Sequence, residues 1–183
     1  MFRANPAGFT PQVSSTAYVD PTAMVIGHVI IEDNVFVGPY AVIRADEIDP
    51  NGNILPIIIK RDSNIQDGVV IHSLAGASVT IGERTSIAHR AIVHGPCTIG
   101  DDVFIGFNSV VFRTQIASGC IIRHTCVIDN IDLPYPVHVP PMSNLGPGFD
   151  FTTLPELTPE YKQFSSSVVA ANEYLVKGYK RIS

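Results

Sequence analysis

Three of the six histidines in this 183-residue chain, His72, His89 and His94, stand where imidazole could do chemistry. His89 and His94 lie five residues apart in SIAHRAIVHGPCTIG, residues 86 to 100, a run that otherwise reads as strand. Neutral imidazole is the commonest metal ligand among side chains, and alone it serves as a general base. Either use depends on where the backbone puts the rings. His28, His124 and His138 stand singly and read as hydrogen-bonded or solvated side chains.

The backbone that must position them is repetitive. Aliphatic residues recur every six positions, as Val19, Val25, Ile31, Val37 and Ile43, then Ile59, Ile65 and Ile71, then Ile81, Ile87, Val93, Ile99, Ile105 and Val111. A small or β-branched residue follows four places after most of them, for example Ala23, Val35, Ala41, Thr85, Ala91, Cys97 and Ser109. After a one-residue deletion the period resumes at Ile116, Ile122 and Ile128, with Cys120 and Cys126 in the small slot. A helix cannot keep a period of six on one face, and a plain alternating strand needs no turn at fixed intervals. Short strands broken by a turn every six residues fit, and such a chain winds into a parallel β-helix with coils about 4.8 Å apart.

Two segments interrupt the period. DEIDPNGNILPII, residues 46 to 58, carries the turn signals DP and NG and reads as an excursion; SLAGASVT, residues 73 to 80, adds four residues to one step. The C-terminus differs in kind. Thr158 as N-cap and Pro159 at the first helical position start a helix, whose Tyr161, Phe164, Val168, Ala171, Leu175 and Tyr179 form one apolar face. That face is expected to pack on a wall of the coil as core. The chain therefore divides into a coil with its lead-in at 1–140, a linker at 141–157 and a helix at 158–183, all one domain.

Register now brings the histidines together. His72 follows Ile71 and His94 follows Val93, and the steps Ile71, Ile81, Ile87, Val93 make one turn of a triangular coil. The two rings are expected one above the other, about one strand spacing apart, close enough to share a metal at about 2.0 to 2.1 Å. His89 occupies another place in its unit, with up to roughly 16 Å of extended chain between it and His94. A corner turns it onto a different edge, so a neighbouring subunit in a threefold ring is the better source of the third ligand.

Composition narrows the rest. The chain is 45% hydrophobic, long enough for one substantial core, and carries 12 basic against 17 acidic residues with no basic cluster. Nucleic acid is excluded as a partner. No segment reaches the roughly 18 apolar residues of a membrane span, and the N-terminus MFRANPAGFTPQ has no apolar leader, so a cytoplasmic protein is expected. Cys97, Cys120 and Cys126 read as buried packing thiols.

The segments IRADE (43–47), SNIQDGVVIH (63–72), AHRAIVHGP (88–96), GDDVFIGFNSVVF (100–112) and VVAANEYLVKGY (168–179) together resemble the γ-class carbonic anhydrases. The resemblance implies a left-handed β-helix, a homotrimer, and reversible hydration of carbon dioxide to bicarbonate by metal-bound hydroxide at the subunit interfaces. It implies His72 and His94 as ligands from one subunit and His89 from the next. Zinc is the default ion, with Fe(II) or Co(II) compatible. Gln66, oriented by Asn64, would hydrogen-bond the hydroxide, and Asn172 would approach carbon dioxide or bicarbonate. Arg44, Asp46 and Asp67 match an interface network, and Glu47 a proton-transfer carboxylate. The prototype's long acidic loop after the first metal histidine is missing, because residues 73–80 contain no carboxylate. This places the chain in a short-loop subgroup, with Glu47 or buffer left to carry the proton. Two other readings stay open: a hexapeptide acyltransferase using one histidine as general base, and a catalytically silent subunit of a larger assembly.

Overall fold

In a computed structural model, which describes residues 1–182, the chain forms a parallel β-solenoid of about seven turns with one C-terminal helix. Short strands stack on three faces. The first face stacks Met24–Gly27, Val42–Ala45, Val70–Ser73, Ile92–Ile99, Val110–Ile116 and Val127–Asp129. The second includes Val29–Ile31, Ile57–Ile59 and Val79–Ile81, and joins the first through Ile92–Ile99, which runs along both. The third carries Tyr18–Val19, Phe36–Val37, Asn64–Ile65, Ser86–Ile87, Phe104–Ile105, Ile121–Ile122 and His138–Val139.

The period of six is the inward ladder. Val37, Ile65, Ile87, Ile105 and Ile122 pair in register on the third face, and Ile43, Ile71, Val93, Val111 and Ile128 on the first, all fully buried. Cys97, Cys120 and Cys126 are free, buried thiols, and burial raises the pKa of each. They act as small packing groups. The one-residue deletion shows as a register shift: His94 pairs with Phe112 but Cys97 with Thr114, so two residues oppose one. Residues 46–56 leave the coil without a strand, but the excursion ends two residues earlier than expected, since Ile57 and Ile58 are already in the strand Ile57–Ile59. The coil also continues past residue 140: Leu145 pairs with Ile128, inside the segment expected to be a linker.

The helix, α1, spans Pro159–Tyr179 after Thr158, and the final predicted residue, Ser183, lies outside the described residues. It lies on the third face, with an edge down that only partly matches the one the apolar pattern predicts. Its buried line is Ser165, Val169, Asn172 and Val176, while Phe164, Leu175 and Tyr179 are exposed. Tyr161 and Val168 of the predicted stripe pack against Ala88, Phe104 and Ile121, and the Tyr179 ring stacks on that of Tyr18 with centroids 4.7 Å apart. The exposed parts of Phe164, Leu175 and Tyr179 form one wall of a groove.

Beneath the start of α1, the buried His138 ring lies 3.9 Å from that of Tyr161. Burial, and then the Arg123 guanidinium, hold its pKa below the usual histidine value. The folded state therefore takes up the proton less readily than the unfolded chain, whose histidines titrate near about 6.5. His138's neutral form costs nothing above that pH, and stability should fall as pH drops through it. His138→Phe, which keeps a ring against Tyr161, should show a smaller loss of thermal midpoint between pH 7.5 and 5 than the wild type. Parallel midpoints in the two proteins would show that His138 does not contribute.

Candidate metal centre

The outward column of the first face reads Ile26, Arg44, His72, His94, Phe112 and Asp129, each paired in register with the next. His72 and His94 are therefore stacked as their sequence register predicts. His94 Nδ1 faces the Gly95 carbonyl at 3.1 Å and donates to it, so Nε2 carries the lone pair and accepts from His72 Nδ1. That Nε2 lies 3.1 Å from His72 Nδ1. Two nitrogens bound to one tetrahedral ion at 2.0 to 2.1 Å are roughly 3.3 Å apart, so the pair suits a shared ion. His72 Nε2 is buried without a hydrogen-bond partner, 3.3 Å from Asp46 and 3.5 Å from Glu47. Burial, then the Arg44 guanidinium and His94, hold His72 below the ordinary histidine range, against the opposing carboxylates of Glu47 and Asp46. A neutral ring is the form that binds metal.

Arg44 Nη1 contacts both carboxylate oxygens of Asp46 at 2.9 Å. Glu47 holds the short loop: its Oε2 accepts from the Ala75 N–H at 3.1 Å.

His89 lies elsewhere, on the exposed corner between Ser86–Ile87 and Ile92–Ile99, followed by Arg90 in the left-handed region (φ 59°). It lines a groove of about 510 Å³ between that corner and α1, together with Gln66, Asp67, Asn172, Phe107 and Leu175. Gln66 Nε2 donates to Asn64 Oδ1 at 2.9 Å, and Asn64 Nδ2 donates to Ser86 Oγ at 2.8 Å. This relay fixes the Gln66 amide and leaves its Oε1 as a free acceptor. Asn172 donates one N–H to the Val168 carbonyl at 2.9 Å and keeps its other groups for the groove. Asp67 stands beside His89 at 3.3 Å, not with Arg44 and Asp46.

One chain thus holds two half-sites: His72, His94, Arg44, Asp46 and Glu47 on a strand face, and His89, Gln66 and Asn172 around a groove. Among the described residues no three His, Cys, Asp or Glu side chains converge as a set that could hold a metal ion.

Comparison with known proteins bears on this division. A family model described as bacterial transferase hexapeptide (six repeats) matches residues 78–113. The carbonic anhydrase of Methanosarcina thermophila is 34% identical over 98% of this chain and 78% of its own. The chain belongs to the γ-class carbonic anhydrase family. This γ-class chain is also 35% identical, over 92% of its length, to the carboxysome assembly protein CcmM of Nostoc sp., of which it spans 31%. A hexapeptide transferase family protein from Anaplasma phagocytophilum shares the fold, with a TM-score of 0.78 over 98% of each chain at 24% identity.

Other side chains support these residues. Ser86 anchors Asn64, Phe112 packs edge-on to His94 with centroids 5.4 Å apart, and Phe107 flanks His89. Each lies one coil from a residue singled out in the sequence. The register that stacks His72 on His94 would have found them.

Proposed function

We propose that this chain catalyses the reversible hydration of carbon dioxide to bicarbonate, with a divalent metal at sites shared between the subunits of a homotrimer. The observation that carries this reading is the split of the three family histidines into two half-sites facing different ways. A second copy, bringing its groove against the His72–His94 face of the first, would complete the set. The surfaces involved suit burial. Beside the His72–His94 column runs an outward aliphatic strip, Met24, Val42, Val70, Ile92, Val110 and Val127, each at least partly exposed. The groove wall offers Phe107, Phe164 and Leu175. Such contiguous apolar surface marks an interaction site.

His72 and His94 of one chain and His89 of its neighbour would hold the ion, which would lower the pKa of a bound water to about 7 and so supply a nucleophile at neutral pH; zinc is the default, and Fe(II) or Co(II) would serve. The protein's own groups do the rest. His72 stays neutral by burial. Gln66, fixed by Asn64, would accept a hydrogen bond from the attacking oxygen through its Oε1 and so aim that oxygen's lone pair. Asn172 has a second amide N–H to stabilise charge developing on the substrate oxygen. Glu47, half-exposed and beside His72, is the carboxylate placed to pass a proton to solvent.

With no carboxylate in residues 73–80, proton export should limit turnover. The rate of carbon dioxide hydration is expected to rise with imidazole buffer concentration, and Glu47→Ala should steepen that dependence. A wild-type rate that is flat from low to high buffer would place an internal shuttle elsewhere.

The likeness to CcmM supports a second reading, in which the chain assembles without catalysing. Stopped-flow hydration on anaerobically purified, metal-analysed protein separates the two. Rates proportional to metal content support the enzyme; a metal-loaded trimer no faster than the uncatalysed reaction would leave the assembly role and the hexapeptide acyltransferase reading.

A further inference from the structure

His89 is gripped from both sides by residues of neighbouring coils. Arg90 N–H donates to the Asp67 carbonyl and Asn108 N–H to the His89 carbonyl, so the corners at 67, 89 and 107 are stacked. Asp67 Oδ2 lies 3.3 Å from His89 Nδ1, and the Phe107 ring lies on the other side, with centroids 5.2 Å apart. Asp67 is itself seated. A Cβ built on Gly38 would lie 2.6 Å from Asp67 Oδ1, so the carboxylate fills the space that this glycine leaves.

We propose that Asp67 is a positioning residue for His89: its carboxylate accepts the Nδ1 proton, so that the Nε2 lone pair is the one presented outward, and Gly38 keeps the carboxylate in place. The proposal rests on the metal-site reading, although the pair itself forms without metal. A histidine whose one nitrogen donates to a fixed acceptor must present the other as its lone pair. A carboxylate in that role also orients the ring and raises its basicity as a ligand. Phe107 closes the opposite side.

The test uses full-length protein labelled with 15N-histidine. In metal-free wild type, two-bond proton–nitrogen correlation should show His89, assigned by its loss in His89→Gln, as the Nδ1–H tautomer. Asp67→Ala should shift it toward Nε2–H. Gly38→Ala, which retains Asp67 but displaces its carboxylate, should shift it the same way. Chelator competition should find zinc bound about 10- to 100-fold more weakly in both variants. A purely structural role would lower thermal stability and leave the tautomer alone. An Nε2–H His89 in the wild type, or a tautomer unmoved by both substitutions, overturns the proposal. Wild-type protein that binds no zinc yet shows the Asp67-dependent tautomer would sink the metal reading while bearing out the pair.

Discussion

Wild-type protein purified with metal present should carry about one divalent ion per chain, and His72→Ala should carry almost none. A threefold ring has as many interfaces as chains, and each would assemble one set of three imidazoles. His72 contributes Nδ1 at 3.1 Å from His94 Nε2, on a face where no third histidine of the same chain reaches. Without it two ligands remain, too few for a tetrahedral site that keeps an open position. Hydration activity should fall by at least about 100-fold, beyond the range that losing a supporting residue causes. His72 is buried, so circular dichroism and the oligomeric state must first show that the variant folds. Elemental analysis then decides. Metal retained at the wild-type level in folded His72→Ala would remove this site.

The coil was legible because its inward positions are chemically uniform. Ile65, Ile87 and Ile105 face a narrow core that excludes polar side chains, so the period is written in residue type. The stacking of His72 on His94 followed by counting, since parallel in-register coils turn sequence distance into spatial neighbourhood. Where a side chain's neighbour is not set by that lattice, reading failed. The stripe on α1 was correctly seen as apolar, and Tyr161, Val168 and Tyr179 do pack on the coil, but the contact extends to Ser165 and Asn172, which no apolar pattern marks. Glu47's hold on the Ala75 N–H was also hidden, because both lie in segments that leave the repeat. The corner partners Asp67 and Phe107 of His89 were within reach of the register, but Asp67 was singled out for an interface network with Arg44 and Asp46 and Phe107 only as part of a longer segment.

The site shared between chains is the central claim, and it predicts rescue between two dead proteins. His89→Ala and His94→Ala should each be nearly inactive alone. In a mixed trimer, a His89→Ala chain still presents His72 and His94, and a neighbouring His94→Ala chain presents an intact His89. With random assembly at equal amounts, each directed interface has the right chain on each side with probability one half, so about a quarter of wild-type sites should return. Three imidazoles from one chain could never be restored this way, since every chain lacks one. The decisive measurement is therefore the hydration rate of metal-supplied mixed trimers, isolated through two different affinity tags after co-expression. Because every isolated trimer that holds both variants has one correct interface out of three, activity near a third of wild type is the predicted result; mixed trimers of verified composition that remain as inactive as their parents would contradict it.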